Sequence, residues 1–200
     1  MEISKITQQF DQIDEQRRIV LDKLAATIQN QVELNGQLSL AFICTHNSRR
    51  SQLAQAWFWV ACQYYNIQNI TCLSAGTEIT ALNHRVVSSM NRFGLLITSK
   101  ELNENTHYSL KSPFNEQQLV LYSKKVDAFD KKTDAIMAVM VCDHASEHCP
   151  VVYFDTIGHL HYVDPKYADD RPEESKAYDQ TQHIIRLEMV YLVSKLAKTI

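Results

Sequence analysis

A cysteine and an arginine bracket a short polar loop directly after an apolar segment. Cys44 ends the run LSLAFIC, and Arg50 follows in the order Cys-Thr-His-Asn-Ser-Arg-Arg-Ser. A loop of this kind turns backbone N–H groups inward, and a helix starting behind it adds partial positive charge, which together suit a tetrahedral oxyanion. The same charges stabilise a thiolate, so Cys44 is a candidate nucleophile.

The residues around Cys44 have types that match this chemistry. The planar guanidinium of Arg50 suits bidentate contact with two oxygens of an anion. Ser51 can donate a hydrogen bond to the sulfur, and Asn47 tolerates the left-handed backbone of a tight loop. The alternative is that Cys44 is an inert buried cysteine at a strand end. The candidate oxyanion-binding residues are Thr45, His46, Asn47, Ser48, Arg49, Arg50 and Ser51.

A second pair of cysteines follows the most continuous apolar run of the chain. Cys142 comes directly after AIMAVMV, and Cys149 lies further along the same loop, with His144 and His148 between them. Two thiols on a polar loop at the carboxyl end of a sheet can relay oxidation. Two alternatives stay open: a zinc site made of these four side chains, whose spacing fits no standard zinc finger or ribbon, and two unrelated structural cysteines.

Alternating strands and helices are predicted to position both loops. Apolar residues at helical spacing over about 4–34 predict one long helix or two, ended by Asn35-Gly36. The later predicted elements are strands at 38–43, 70–76, 135–141 and 151–154, helices at 51–64, 83–93 and 173–198, a hairpin at 108–110 and 118–122, and a loop at 159–167. This order predicts a three-layer α/β fold with a mostly parallel sheet flanked by helices. The expected organisation is a helical extension at 1–36 and a catalytic domain at 37–200 with the inserted β-hairpin.

The composition is that of a globular protein rather than a disordered or fibrous one. Hydrophobic residues make up 45% and charged residues 22% of the 200 residues, and the net charge is -3. An acidic chain has no basic field for nucleic acid or anionic membrane, and no apolar run is long enough to span a bilayer. The start of the chain lacks the apolar core of a signal peptide, so a cytoplasmic protein is expected. In that compartment five cysteines do not form a disulfide framework, and Cys62 and Cys72 are predicted to be packed apolar residues.

Residues 42–52 resemble the phosphate-binding loop of the low-molecular-weight protein tyrosine phosphatase superfamily, which includes the thioredoxin-coupled arsenate reductases. Ser74-Ala75-Gly76 matches the segment after the second strand of that superfamily, and Asp164-Pro165 matches its late Asp-Pro general acid. The pair Cys142 and Cys149, followed by a proline, resembles the Cys-x6-Cys-Pro of the reductases. The resemblance covers about residue 38 to the C-terminus, without the hairpin.

Four positions depart from the family pattern. His46 replaces a usual glycine, and Arg49 replaces a usual cysteine, so Arg49 either adds a second cation or faces solvent. Gln55 stands where the reductases often have the glutamate of a monovalent-cation site, which weakens the expectation of cation activation. Lys166 precedes Tyr167 where the phosphatases commonly have aromatic residues directly after Asp-Pro, and this slightly disfavours a phosphotyrosine pocket.

The resemblance implies arsenate reduction by a thiol relay of Cys44, Cys142 and Cys149, with Arg50 on the oxyanion and Asp164 as acid. It implies no tightly bound cofactor, thioredoxin as reductant, and phosphate, sulfate or arsenate in the Cys44 loop. The alternative is phosphomonoester hydrolysis through a Cys44-phosphoenzyme, with a phosphotyrosine protein as partner. A third, non-enzymatic interpretation makes the loop an oxyanion or arsenite sensor. The oligomeric state stays undetermined.

Overall fold

The computed structural model of the chain describes residues 2–99, 104–129, 136–143, 145 and 154–198. Over these ranges the main sheet consists of the strands β1 Leu38–Cys44, β2 Ile70–Gly76, β6 Ile136–Met140 and β7 Thr156–His159. All neighbouring pairs are parallel, and the strand order is β2-β1-β6-β7. The flanking helices are α1 Ile3–Thr7, α2 Glu15–Asn35, α3 Arg50–Tyr65, α4 His84–Arg92 and α5 Glu174–Leu196. The predicted α/β class with a parallel sheet is confirmed.

The core lies around the two central strands. Every residue of β1 and of β6 is buried, as expected for strands that are covered on both faces. Helix α5 packs against each of the helices α1 to α4. The largest fully buried side chains include Trp57, Phe58, Phe42 and Tyr178.

The N-terminal helices pack on this same core. Asp14 caps α2 by accepting from the N–H groups of Gln16 and Arg17, and Gly36 ends the helix with a φ of 74°. The predicted helical segment is thus two α-helices with a short 3-10 helix, Phe10–Gln12, between them, and the stop is at the expected position. Apolar residues of α1 and α2 are buried together with those of the sheet, including Ile3, Ile6, Leu21, Leu24, Ile28 and Val32.

The inserted hairpin is part of a larger unit. Strands β4 Tyr108–Lys111 and β5 Gln118–Leu121 form the predicted hairpin, and β3 Leu96–Ser99, which the apolar pattern does not reveal, pairs with β4. In the part of the chain that the structure describes, these three strands make a separate antiparallel sheet. The chain then runs beside β2, where Gly76 and Lys125 form a parallel bridge.

The last strand of the main sheet lies later in the chain than predicted. Phe154 precedes β7 rather than belonging to a strand, and residues 151–153 lie outside the described residues. Strand β7 is at the edge of the sheet and is only partly buried, so its sequence lacks the continuous apolar run of a central strand. A Cβ atom at Gly158 would lie 2.7 Å from the Leu24 side chain, so this glycine lets α2 pack closely on the strand.

Candidate active site

The loop between β1 and α3 brings together the predicted nucleophile and its hydroxyl partner. Strand β1 ends at Cys44, and α3 begins at Arg50. The Cys44 Sγ atom lies 3.0 Å from the Ser51 Oγ atom, and both side chains are buried. The contact that the spacing predicts between Ser51 and the sulfur is therefore present.

Asn47 shapes this loop through its backbone and its side chain. Its φ of 46° is left-handed, as predicted for a tight loop. Its buried amide donates to Ser51 Oγ at 2.8 Å, which leaves the Ser51 proton for the sulfur of Cys44. The same amide accepts from the Gln52 side chain at 3.1 Å and from the Lys124 backbone N–H at 2.9 Å. The side chain thus ties the loop to α3 and to the segment that follows β5.

Neighbouring segments hold the loop from outside. The carbonyl of His46 accepts from the hydroxyls of Thr80 and Ser123 at 2.9 and 3.0 Å, and the Gln52 amide also donates to the Tyr122 carbonyl at 2.8 Å. These partners are far from the loop in sequence, so no local pattern identifies them. They make the segments after β2 and after β5 part of the site.

Gly76 is required by the close approach of the loop to the end of β2. A Cβ atom on this residue would lie 2.5 Å from the Thr45 carbonyl oxygen and 2.8 Å from the Asn47 nitrogen. Both are backbone atoms, which cannot move away as a side chain can. The Ser-Ala-Gly segment noted in the sequence therefore ends in a glycine for a steric reason.

The guanidinium of Arg50 has two paired nitrogens, Nη1 and Nη2, and one unpaired nitrogen, Nε. Its Nη1 donates to the Tyr162 carbonyl at 3.0 Å, and its Nη2 donates to Asp164 Oδ2 at 2.7 Å. The other Asp164 oxygen caps the short 3-10 helix Pro165–Ala168 by accepting from the Lys166 N–H at 3.0 Å. The Nε atom of Arg50 is buried and has no hydrogen-bond partner among the described residues. A buried donor without an acceptor is uncommon, and a bound anion would supply the acceptor.

Arg49 is mostly buried rather than facing solvent. Its Nε donates to the Tyr178 hydroxyl at 2.7 Å, and its Nη2 donates to Asp169 at 3.0 Å. Burial lowers the pKa of Arg49, but Tyr178 and the nearby carboxylates raise it above its usual value. Burial in turn raises the pKa of Tyr178 to about 12. The charge of Arg49 is thus engaged by α5 and by the loop before it, and its role as a second cation for the anion stays a prediction.

The remaining loop residues line the rim of a cleft. His46 Nε2 lies 3.3 Å from the Glu78 carboxylate, and the Ser48 carbonyl accepts from the Asn83 N–H at 3.1 Å. The cleft has a volume of about 580 Å³. Its lining includes His46, Ser48, Arg49, His84, Tyr108 and Lys166.

Cys142 lies beside the loop between β1 and α3. Its sulfur is 3.6 Å from the Thr45 hydroxyl and accepts from the Ala145 N–H at 3.4 Å. The pairing of β1 with β6 explains this position, because Val141 donates to the Ile43 carbonyl and carries the next residue to the same edge as the Cys44 loop. Cys149 lies outside the described residues.

The other two predicted core cysteines are packed inside. Cys62 and Cys72 are buried, and burial, together with the neighbouring Cys72 thiol, raises the pKa of Cys62. The Gln55 amide donates to the Cys72 carbonyl and accepts from the Ser74 hydroxyl. Gln55 is therefore occupied with neutral partners at the position where the resemblance suggested a cation site.

The zinc alternative cannot be assembled from the described residues. Within the described ranges no group of three or more His, Cys, Asp and Glu side chains is placed to hold a metal ion. His144 and His148, which this alternative needs, lie outside those ranges, as does Cys149.

Comparison with known proteins confirms the resemblance to the low-molecular-weight phosphatase superfamily. No protein-family model matches the chain. Two arsenate reductases from Bacillus cereus strains are similar in sequence. The one from strain 03BB102 is 25% identical over 76% of this chain and 92% of its own length. The one from strain AH187 is 27% identical over 58% of this chain and 68% of its own length. Both are enzymes, which confirms the enzymatic class expected from the sequence.

Solved structures share the fold at lower identity. A low molecular weight phosphotyrosine phosphatase from Vibrio cholerae O395 has a TM-score of 0.51 and 18% identity over 78% of this chain and 95% of its own. An arsenate reductase in a phosphate-binding state has a TM-score of 0.51 and 14% identity over 80% of this chain and 99% of its own.

None of the described helices combines the length and the apolar character that crossing a bilayer requires.

Proposed function

We propose that the protein is an arsenate reductase that works by a cysteine relay and is regenerated by thioredoxin. The position of Cys142 supports this assignment most directly, because its sulfur contacts Thr45, the residue after the nucleophile. A hydrolytic phosphatase has no use for a second thiol at this point. The named activity of the Bacillus cereus relatives agrees with the proposal.

Arsenate would bind in the loop that follows β1. The backbone N–H groups of residues 45–51 and the start of α3 provide local positive potential, which explains how an acidic protein can hold an anion. The unpaired Nε of Arg50 would donate to the anion while Nη1 stays on the Tyr162 carbonyl. Phosphate and sulfate have the same shape and would occupy the same loop.

The first chemical step is nucleophilic attack. The Cys44 thiolate attacks arsenic and displaces hydroxide. Asp164, after it releases Arg50 Nη2 and takes up a proton from solvent, protonates that hydroxide so that it leaves as water. The Ser51 hydroxyl lies against the sulfur and stabilises the thiolate before the attack. The product is an arsenate esterified through the sulfur of Cys44.

The second step transfers two electrons to arsenic. The Cys142 thiolate attacks the Cys44 sulfur, a disulfide forms, and the sulfur–arsenic bond breaks with its electron pair on arsenic, which leaves as arsenite. Cys149 then attacks Cys142, releases Cys44 as thiolate and leaves a Cys142–Cys149 disulfide. An external dithiol such as thioredoxin reduces that disulfide. Because the relay needs thiols that are kept reduced, we place the protein in the cytoplasm.

A second candidate function is hydrolysis of phosphomonoesters. The cleft beside the loop has a volume of about 580 Å³, which is far more than a small oxyanion needs and leaves room for a phosphorylated side chain of a partner protein. In this reaction Cys44 forms a phosphoenzyme, and Asp164 acts first as acid and then as base. Cys142 and Cys149 have no role in it.

The substitution Cys142→Ser distinguishes the two functions. We expect the variant to lose arsenite production with thioredoxin and to keep hydrolysis of an aryl phosphate, because only reduction uses the second thiol. Cys72→Ala is the matched control, since it removes a buried thiol of β2 and should leave both activities unchanged. Arsenite production that survives in Cys142→Ser would refute the relay. A wild-type protein that makes no arsenite but turns over phosphotyrosine peptides would establish the second function instead.

A further inference from the structure

One arginine of the N-terminal helical extension contacts the segment that carries the general acid. Arg17 is in the first turn of α2, where Asp14 caps the helix. Its Nη2 donates to the His161 carbonyl at 3.1 Å, and its guanidinium carbon lies 5.0 Å from the ring centre of Tyr162. The extension therefore contacts the chain three and two residues before Asp164.

Arg17, Tyr162 and Glu188 form a closed polar cluster. The guanidinium of Arg17 makes two hydrogen bonds of 2.9 Å to the two carboxylate oxygens of Glu188 on α5. The Tyr162 hydroxyl donates to the same carboxylate at 2.7 Å. Both the Glu188 side chain and the Tyr162 ring are buried, so Arg17 supplies the positive charge that a buried carboxylate requires.

The surroundings of Arg17 and Tyr162 raise the pKa of both side chains. Burial lowers the pKa of Arg17, but the hydrogen bond and the charge of Glu188 raise it above its usual value. Burial also raises the pKa of Tyr162, so the hydroxyl keeps its proton and remains a donor. Arg17 and Tyr162 therefore both keep their protons, and remain donors to Glu188, across the neutral pH range.

The backbone of Tyr162 connects this cluster to the candidate active site. Its carbonyl accepts from Arg50 Nη1, while its side chain is held by Arg17 and Glu188. The next residue, Val163, is 74% exposed, so it adds little packing to fix the segment before Asp164. The Tyr162 backbone is also held by its own N–H, which donates to the Val141 carbonyl at 3.2 Å, so this bond and the cluster together place the Tyr162 carbonyl.

We propose that Arg17 is a positioning residue that fixes the Arg50 guanidinium through Tyr162. The N-terminal extension would thereby contribute to the geometry of the active site. This inference rests on the proposed function only in that Arg50 binds the oxyanion. Arg17 touches no reacting atom. Its effect is to hold the Tyr162 carbonyl where Arg50 can keep Nη1 on it and point Nε into the loop.

The test compares Arg17→Lys with a matched control, Arg92→Lys, in the full-length protein. Lysine keeps the charge that Glu188 needs and loses the planar fork. Arg92 makes a similar two-oxygen contact with Asp179 of α5, away from the loop. The readout is the protection of Cys44 from iodoacetamide by inorganic phosphate, which reports anion binding without turnover.

We expect Arg17→Lys to raise the dissociation constant for phosphate about tenfold, the effect of weakening one hydrogen bond to a charged group. Arg92→Lys should bind phosphate as the wild type does. Equal affinity in Arg17→Lys and wild type, or an equal loss in Arg92→Lys, would overturn the positioning role and leave the proposed function intact. If phosphate fails to protect Cys44 in the wild type, the oxyanion site itself is wrong.

As a second variant, Tyr162→Phe removes the hydroxyl and keeps the ring. Because Arg17 is proposed to act through Tyr162, the effects of the two substitutions should overlap. The double variant of Arg17→Lys and Tyr162→Phe should therefore have the same phosphate affinity as whichever single variant binds phosphate less tightly. Fully additive losses would show that Arg17 acts by another route and would contradict the inference. Denaturant unfolding of each variant shows whether the fold is intact at the temperature of the binding assay.

Discussion

At the scale of single residues, Lys124 is a partly buried cation in the segment that holds the loop between β1 and α3. Its backbone N–H donates to Asn47, and its Nζ donates to the Tyr122 carbonyl at 3.2 Å. The Nζ atom also lies 4.3 Å from the ring centre of Tyr122. Burial lowers the pKa of Lys124 from 10.5 to about 8. Because the unfolded chain keeps the higher pKa, it binds more protons than the folded chain between these two values.

The free energy of unfolding should therefore contain a contribution from Lys124 that rises as pH increases from about 8 to about 10.5. Since Lys124→Met lacks this contribution, we expect its stability relative to wild type to fall by on the order of 2 kcal/mol between about pH 7 and about pH 10. Denaturant unfolding at the two pH values measures the change. Lys125→Met, at the exposed neighbouring position, is the control. A constant difference between Lys124→Met and wild type would contradict the expectation.

Single residues with a local signal can be predicted from the sequence, and those that act across the fold cannot. The spacing identifies the Ser51 contact with Cys44 and the left-handed backbone of Asn47, because both follow from a tight loop between a strand and a helix. Ser123 and Lys124 also hold the loop, but each lies 77 residues from its partner in sequence. Nothing in the residues around them indicates the contact.

At the scale of elements, the site depends on how closely the Cys44 loop approaches the end of β2. Three backbone atoms, from Thr45, Asn47 and Glu78, lie within 2.8 Å of the position that a Cβ atom on Gly76 would take. The paired strands β1 and β2 fix both sides of this contact through a register that runs along the whole of β1. The loop has no room to accept a methyl group without moving.

We expect Gly76→Ala to weaken phosphate protection of Cys44 more than about tenfold, because the loop backbone must shift to relieve the contact. Gly36→Ala is the matched control: its φ of 74° is also unfavourable for alanine, but a Cβ atom there meets nothing within 4 Å. The control should lose about 1 kcal/mol of stability and no phosphate affinity. Normal phosphate binding in Gly76→Ala would show that the loop tolerates the shift.

Elements with a mostly buried, apolar pattern are predictable close to their observed positions, and short, partly exposed strands are not. The buried strands β1 and β6 and the helix α5 carry strong patterns and match the predicted ranges within a few residues. The edge strand β2 also matches, because most of its residues are buried. Strand β7 lies at an edge, contains Gly158 and lacks such a pattern, so the predicted range lies too early in the chain. Strand β3 is a short, mostly exposed strand of the second sheet, and it escapes prediction for the same reason.

At the scale of the whole molecule, the N-terminal helices share the core of the sheet. Leu24 of α2 is buried and fills the space over Gly158 of β7. Tyr191 of α5 contacts the ring of Phe10 and donates to Asp22. These contacts join the first helices to the rest of the chain, while the division into an extension and a catalytic domain stays a prediction.

We expect Leu24→Ala to lower the free energy of unfolding of the whole protein by about 2–5 kcal/mol, as for a leucine removed from a packed core. Tryptophan fluorescence, from Trp57 and Trp59 of α3, and circular dichroism should follow one coincident transition. Leu34→Ala, on the same helix but 77% exposed, is the control and should change stability by less than about 0.5 kcal/mol. An early separate transition, or no loss of stability in Leu24→Ala, would mean that the extension is not part of the cooperative unit.

The central claim of the proposed mechanism is that reduction of arsenate first gives a Cys44–Cys142 disulfide, which Cys149 then converts into a Cys142–Cys149 disulfide. The direct measurement is a single turnover of reduced protein with arsenate and no external reductant, followed by arsenite determination and peptide mass spectrometry. We expect one arsenite per protein, a mass loss of ~2 Da for one disulfide, and a peptide that links Cys142 to Cys149. A protein that binds phosphate at Cys44, yet yields neither arsenite nor this disulfide when arsenate is added, would contradict the claim.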